Sequence, residues 1–157
     1  MIEFVYNSPV GGLLLRFEAS DLTGLYFLED DQIPKVNSVP QTTAHKQCVQ
    51  ELDEYFNGAR QVFTVPMKLR GTPFRKRVWQ SLCEIPYAKT CSYKDLAEMI
   101  GNVKAVRAVG GANHHNPVSI IVPCHRVVGS DGSLTGYGGK LWRKEWLLKH
   151  EANHSNY

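Results

Sequence analysis

Three short segments rich in aromatic and branched residues open the chain: IEFVY, LLLRFEA and LTGLYFLE. The turn-forming stretches NSPVGG and SDLTG separate them, and this pattern predicts a β-meander. Residues 29–43 contain two prolines and no hydrophobic period, so we expect a loop there. Apolar residues recur at helical spacing from Ala44 to Asn57, and Gly58 is suited to end that helix. The following RQVFTVPM, residues 60–67, predicts a further strand.

The pattern changes between residues 66 and 67, where we place a domain boundary. In the second part, Thr72 and Pro73 are typical of a helix start, and Pro86 ends the element. The sequence predicts an α+β protein. Residues 1–66 would form a small β-rich domain of sheet plus helix with a supporting role, and residues 67–157 a mainly helical domain.

Two short helices joined at a glycine follow in SYKDLAEMIGNVKAVRAVGG. Ser92 and Asp95 form the pattern of a capping box, and Gly101 interrupts the first helix. We expect Asn102 to cap the second helix, which carries mostly small residues. This arrangement is the helix-turn-helix signature, although many such pairs never contact DNA. The stretch KLWRKEWLLKHE predicts one final helix.

The stretch SIIVPCHRVVGSDG combines a predicted buried strand with reactive side chains. Pro123 would end the strand and leave Cys124 at its tip, where functional groups often emerge. A thiolate needs a cation or a base nearby, and His125 and Arg126 come next. By contrast, we expect Cys48 and Cys83 to be buried and inert on apolar helix faces.

The charge of the chain is divided unevenly. Residues 1–67 carry four Lys or Arg and nine Asp or Glu, whereas residues 68–157 carry 14 basic and 6 acidic residues. This division indicates that the second part meets a polyanion, with two differently solvated surfaces as the alternative. No secretory signal or membrane-spanning run is seen, and the four cysteines form no regular framework. We therefore expect free thiols and a cytoplasmic location.

A Cys–His pair by itself suggests acyl transfer, but no local protease signature accompanies it. The segments SYKDLAEMIGNVKAVRAVGGANHHNPV and NPVSIIVPCHRVVGSDGSLTGYGGKLWRKEWLLKHE resemble the O6-alkylguanine-DNA alkyltransferases, also called methylated-DNA–protein-cysteine methyltransferases. The Pro-Cys-His-Arg core is the hallmark of that family. The resemblance extends from about Thr72 to Glu151. Over residues 1–66 it rests only on a β-rich unit of the expected size.

The resemblance implies an irreversible, single-turnover transfer of an alkyl group from guanine O6 to Cys124, with O4 of thymine left open as a second substrate. His125 would act as general base through a water, and Glu151 would orient it. Asn116 would fix the turn that holds the site together. Tyr93 would donate a proton or hydrogen bond to the ring N3 of guanine.

The resemblance also implies residues that contact DNA. Arg107 would enter the base stack and flip out the nucleotide, and the second helix would lie in the minor groove. We expect further DNA contacts from Lys104, Ser92 and Arg126. The substrate pocket would be lined by four residues: Tyr137, Gly138, Gly139 and Val127. Many members of the family have Ser or Thr where Gly138 stands, so a hydroxyl contact to the base is in doubt here.

The mechanism implied by the resemblance needs no cofactor, and we predict no metal. The partner would be double-stranded DNA bearing O6-alkylguanine, with no membrane partner and a monomeric protein in the absence of DNA. Two other classes remain open. One is a DNA-binding module without chemistry, such as a lesion-flagging relative or a regulator, and the other is a Cys–His hydrolase.

Overall fold

The structure is a computed structural model, which describes residues 1–34, 39–134, 137 and 140–155. The predictions for Gly138 and Gly139 therefore lie outside the described residues. The chain forms two compact units, Met1–Leu69 and Arg70–Tyr157. No helix among the described ranges is long and apolar enough to cross a membrane.

The first unit is built on an antiparallel sheet with the strand order β1-β2-β3, which confirms the predicted meander. Its elements are β1 (Ile2–Ser8), β2 (Gly11–Glu18), β3 (Asp21–Leu28), a 3-10 turn (Asp30–Gln32) and α1 (Thr43–Phe56). Alternate residues of β2 are buried, as expected for a sheet with one covered face. Leu52 and Tyr55 of α1 are fully buried as well, so this unit has a core of its own.

The predicted strand over residues 60–67 is wrong. Only an isolated bridge joins Leu22 to Met67. The buried carboxylate of Glu51 accepts the backbone N–H groups of Thr64 at 2.7 Å and Val65 at 3.2 Å. A side chain thus supplies the hydrogen bonds that a strand ladder would otherwise provide, and sequence pattern alone does not reveal this.

The second unit is mainly helical, as predicted. It contains α2 (Pro73–Leu82), β4 (Cys91–Ser92), α3 (Tyr93–Met99), α4 (Val106–His114), a 3-10 helix (Cys124–Arg126), β5 (Val127–Val128) and α5 (Leu141–Asn153). The two short strands pair in parallel, with Cys91 opposite Val127 and Ser92 opposite Val128. This pairing places the start of α3 beside the segment that directly follows Cys124.

Two helix starts follow the predicted caps, and a third does not. The Thr72 hydroxyl accepts the Arg75 N–H, and Ser92 and Asp95 form the capping box in both directions. However, α4 begins at Val106 rather than after Asn102. The Asn102 carbonyl instead accepts the N–H of Ala105, so residues 102–105 form a turn.

Two further predictions about local structure are wrong. Residues 119–121 form a turn instead of a strand, and Ile120 has a φ of 72°. Cys83 is exposed, because it lies at the C-terminal cap of α2 rather than on its buried face. Cys48 is buried in the first unit, as predicted.

Candidate active site

The turn that leads into Cys124 is held by one side chain. The Asn116 amide donates to the Val122 carbonyl at 2.8 Å, and its oxygen accepts the Val118 N–H at 3.0 Å. Between them lies Ile120, a β-branched residue in the left-handed region, where such residues are rare outliers. Asn116 thus closes a strained turn on both sides, which is the geometry expected of the role the resemblance implies.

Cys124 begins the 3-10 helix at the end of this turn and is 4% exposed. Burial raises the pKa of its thiol to about 11, although hydrogen bonds with Asn116 and Ser119 and the charge of Lys144 act in the opposite direction. The sulfur is therefore a protonated thiol near neutral pH. The thiolate is the nucleophilic form of cysteine, so a base must take the proton when the reaction begins.

Glu151 on α5 lies at the centre of a buried hydrogen-bond network. Its carboxylate meets His125 Nε2 at 2.6 Å, Arg126 Nε at 2.8 Å and the Ala88 N–H at 3.2 Å. Burial opposes the charge of this group. The attraction to His125 and Arg126 nevertheless outweighs that effect and holds the pKa of Glu151 well below its usual range. The carboxylate is thus ionised and acts only as an acceptor.

This network fixes the tautomer of His125. Burial lowers the pKa of the imidazole, so the ring is neutral near neutral pH. Because Glu151 only accepts hydrogen bonds, Nε2 carries the ring proton and Nδ1 is left with a lone pair. Nδ1 is buried and bonds to no side chain or backbone group that the structure describes. An unprotonated ring nitrogen next in sequence to Cys124 is suited to accept a proton.

Lys144 is a site residue that the sequence reasoning missed. It is fully buried, and its ammonium donates to the Val127 carbonyl. Its Nζ lies 6.0 Å from the centre of the Tyr93 ring and 5.9 Å from that of Tyr137. Burial lowers the pKa of Lys144 to about 8, and the group interacts electrostatically with Cys124. A buried lysine is rare, and this one lies next to three predicted site residues: Val127, Tyr93 and Tyr137.

Tyr93 and Tyr137 lie near Lys144 and come from distant parts of the sequence. Tyr93 is the first residue of α3, and a side chain added at Gly110 on α4 would meet the Tyr93 ring at 3.8 Å. Tyr137 is buried, and its hydroxyl interacts electrostatically with Cys124. Burial raises the pKa of Tyr137 well above its ordinary value, so its phenol keeps its proton.

The two cations predicted for the second helix are both exposed, but only one lies on it. Arg107 is in the first turn of α4, whereas Lys104 belongs to the turn before that helix. The buried side of α4 is formed by Val109, Ala112 and Asn113. Trp79 Nε1 anchors this helix through a 2.9 Å hydrogen bond to the Ala112 carbonyl. Arg107 is thus an exposed residue of a helix that packing and this hydrogen bond hold in place.

Arg126, predicted to contact DNA, is buried inside the second unit. Its side chain is 7% exposed, and the guanidinium binds Glu151 and the Ile85 carbonyl at 2.7 Å. Every one of these contacts is internal, so the residue stabilises the network. Ser92 is half-buried and uses its hydroxyl to cap α3. Val127 is buried against Lys144.

His114 and His115 lie next to each other at the C-terminal end of α4. The two rings meet edge to face, 5.2 Å apart. Within residues 1–34, 39–134, 137 and 140–155, no group of three or more His, Cys, Asp or Glu side chains is arranged to hold a metal ion.

Cys124 is buried and is followed by a histidine that a carboxylate orients. This arrangement is typical of the class of proteins with a nucleophilic cysteine. Comparison with known proteins identifies the family within that class. The family description "6-O-methylguanine DNA methyltransferase, DNA binding domain" matches residues 73–153, and "6-O-methylguanine DNA methyltransferase, ribonuclease-like domain" matches residues 1–69. The chain belongs to the 6-O-methylguanine DNA methyltransferase family.

Individual relatives are similar in sequence to this chain along nearly its whole length. A methylated-DNA–protein-cysteine methyltransferase of Mycobacterium tuberculosis is 47% identical over 148 residues, which cover 94% of this chain and 90% of the relative. A protein of the same name from Methanosarcina barkeri is 42% identical, with 95% and 96% covered. The crystal structure of Mycobacterium tuberculosis OGT in complex with DNA has a TM-score of 0.86 at 46% identity and covers 96% of this chain and 92% of that one. These matches support the mixed α+β fold predicted from the sequence.

Proposed function

We propose that the protein repairs DNA by moving an alkyl group from O6 of guanine to its own Cys124. The observation that carries this proposal is the hydrogen bond of 2.6 Å between His125 Nε2 and Glu151, which leaves Nδ1 unprotonated on the residue that follows the buried Cys124. An sp³ carbon bound to oxygen calls for a soft nucleophile, and a thiolate is the strongest one that a protein has. Relatives named methylated-DNA–protein-cysteine methyltransferases support the same reaction.

The reaction balances with groups that the chain provides. The Cys124 proton moves to His125 Nδ1, through a water, and Glu151 stabilises the resulting imidazolium. The sulfur then attacks the alkyl carbon in line, forming a C–S bond as the C–O6 bond breaks. The electron pair goes to guanine, which takes a proton or hydrogen bond at N3 from Tyr93. The proton that His125 took from Cys124 then neutralises the remaining anion, on Tyr93 or on guanine, so the products are a thioether and neutral guanine. Lys144 favours the thiolate because its charge lies close to the sulfur.

The product is a thioether, and the described site contains no group suited to reverse it. Each molecule would therefore act once. The target base must leave the duplex to reach a cysteine that is 4% exposed. We assign this step to Arg107, on the exposed side of α4, with the helix lying in the minor groove. A relative has been solved in complex with DNA, which supports DNA as the partner.

Four other predictions belong to the proposal. Binding would depend mainly on phosphate contacts, so it should weaken as salt rises and show little sequence preference. We also propose that the protein works in the cytoplasm and is a monomer without DNA. Lys104 and Ser92 remain candidates for phosphate contacts, because neither is buried.

The direct test uses a duplex oligonucleotide that contains one O6-methylguanine. We expect the intact protein to gain the mass of one methyl group in stoichiometric yield, with the methyl mapped to Cys124. Cys124→Ser should show no gain, whereas Cys83→Ser, which removes an exposed cysteine, should react normally. Binding without a mass gain would favour a DNA-binding module without chemistry. Turnover of an ester substrate would favour a hydrolase.

A further inference from the structure

Asn113 is a polar residue on the buried side of α4 and is 1% exposed. Its backbone carbonyl accepts the Asn116 N–H at 3.4 Å. Its side-chain amide donates to the Cys124 carbonyl through a long contact of 3.5 Å. One residue of α4 thus touches both the turn that leads into Cys124 and the backbone of Cys124 itself.

The Cys124 contact determines which end of the Asn113 amide is left over. A carbonyl only accepts hydrogen bonds, so the Nδ2 group faces Cys124 and Oδ1 is the other end of the amide. Oδ1 is buried and has no hydrogen-bond partner among residues 1–34, 39–134, 137 and 140–155. A buried acceptor has given up its hydration, so its burial is costly unless another donor pairs with it.

His125 Nδ1 is another buried acceptor that lacks a partner within the described ranges. The two atoms belong to side chains that flank one peptide group. Asn113 donates to the carbonyl of the Cys124–His125 peptide, and the imidazole is carried by the residue on its other side. Two acceptors cannot bond to each other. A group with two hydrogen-bond donors can satisfy both, and water is the smallest such group.

We infer that Asn113 is a positioning residue whose Oδ1 holds the water through which His125 takes the Cys124 proton. This inference rests on the proposed function, in which that proton passes through a water. With one O–H donated to Asn113 and the other to His125 Nδ1, the water has only its lone pairs left. A lone pair can accept the thiol proton, so the asparagine orients the water for the transfer.

The proton transfer balances around this water. The thiol proton forms an O–H bond with a water lone pair as the S–H bond breaks. The water proton that faces His125 moves to Nδ1, and the O–H group held by Asn113 does not react. The sulfur keeps the electron pair as a thiolate, the imidazole becomes a cation beside Glu151, and the water is restored.

Direct observation of the water tests the inference without any reaction. We would solve high-resolution crystal structures of the unmodified protein and of Asn113→Leu, which has a side chain of similar size without polar atoms. We expect a buried water within hydrogen-bond distance of both Asn113 Oδ1 and His125 Nδ1 in the first structure, and none there in the second. A dry site in the unmodified protein, or a water retained in Asn113→Leu, would overturn the inference.

The pH dependence of alkyl transfer separates the relay from a structural role. With free O6-methylguanine as the substrate, Asn113→Leu should react about 10- to 100-fold more slowly at about pH 7. His125 is neutral at this pH and above, so the rate through the relay stays constant as pH rises. Below the thiol pKa of about 11, the thiolate formed without the relay increases about tenfold with each pH unit. The deficit of the variant should therefore almost disappear at about pH 9.

Val109→Ala is the matched control, because Val109 lies on the same buried side of α4 and has no polar side-chain atoms. A cavity there can lower the rate by displacing the helix, but by the same factor at both pH values. A deficit of Asn113→Leu that is equally large at both pH values would overturn the inference, because Asn113 would then only support the fold.

The outcomes also distinguish this inference from the proposed function. No mass gain in the unmodified protein with the O6-methylguanine duplex would reject the function itself, and the relay with it. A normal mass gain together with a dry site, or with a deficit that does not depend on pH, would reject the role of Asn113 alone.

Discussion

His125 Nε2 and Glu151 Oε2 lie 2.6 Å apart, and neither side chain is exposed to solvent. Because the carboxylate is ionised, this contact selects the tautomer in which Nδ1 of His125 is free of its proton. Histidine catalysis depends on such an orienting partner, since the wrong tautomer offers an N–H where a base is needed.

Glu151→Gln should therefore slow alkyl transfer by about 10- to 100-fold while DNA affinity stays almost unchanged. The variant should also lose about 3 kcal/mol of unfolding free energy, because Arg126 is left buried without its carboxylate. Single-turnover kinetics, DNA titration and urea unfolding measure the three effects. Glu145→Gln, an exposed site on the same helix, is the control. Loss of DNA binding as the main effect would contradict the proton relay.

Arg107→Ala should weaken the reaction with duplex DNA about 10- to 100-fold and leave the reaction with free O6-methylguanine unchanged. The reason is that the free base needs no extrusion from a stack. Lys149→Ala removes a cation far from α4 in sequence and should affect neither substrate. Equal losses on both substrates would show that Arg107 does not act in base flipping.

Lys144 should make stability depend on pH in the alkaline range. Its folded pKa is about 8, below the ordinary value of 10.5, so between these values the unfolded chain binds more protons. The free energy of unfolding should therefore rise with pH in this window, by a total of about 3 kcal/mol from this group. Below pH 8 the Lys144 ammonium is charged in both the folded and the unfolded chain, so the cost of burying this charge is fully present.

Thiols with raised pKa values produce slopes of opposite sign, at Cys124 and also at Cys48 and Cys91. The contribution of Lys144 is therefore measured as a difference between variants in a Cys124→Ser background. There, Lys144→Met should lower the alkaline slope of the unfolding free energy, whereas Lys149→Met should leave it unchanged. An unchanged slope in Lys144→Met would mean that the ammonium is not desolvated.

His45 should make the first unit sensitive to acid. Its side chain is buried between Phe4 and Phe17, with ring centroids at 5.4 Å and 4.5 Å. Burial lowers the pKa of His45, so the unfolded chain takes up a proton first as pH falls below about 6.5. The stability that depends on a neutral, buried His45 is thus fully present above this pH and declines below it.

Hydrogen exchange of the β1–β3 amides at pH 7 and at about pH 5 would measure this acid response. The expected result is a loss of protection at the lower pH that disappears in His45→Gln. His114→Gln, at an exposed position on α4, should behave like the unmodified protein. Acid sensitivity that persists in His45→Gln would assign the effect to another group.

Local structure is predicted best from the sequence where it depends on neighbouring residues. Thr72 and Ser92 cap their helices as expected, because a cap involves only the next three residues. The order of the β-meander followed from turn residues for the same reason. The signature around Cys124 was recognised as a motif, so the roles of Glu151 and Asn116 could be stated before any geometry was known.

Predictions failed where a distant side chain decides the structure. Residues 60–67 look like a strand, but Glu51 from α1 binds their backbone. The run before Pro123 looks like a strand, but Asn116 bends it into a turn. Arg126 and Lys144 look like surface cations, yet both are buried. The spacing of Lys144, Leu147 and Glu151 at three and four residues on one side of α5 was the signal that could have revealed Lys144.

The burial of Cys124 has a consequence for the lifetime of the protein before it meets damage. A thiol with a pKa of about 11 is almost entirely protonated in neutral solution, and peroxides and soluble electrophiles attack the thiolate. A protein that acts once would lose its activity permanently through any such side reaction. A molecule whose thiolate forms only when an alkylated base reaches Cys124 would stay competent for the one reaction proposed for it.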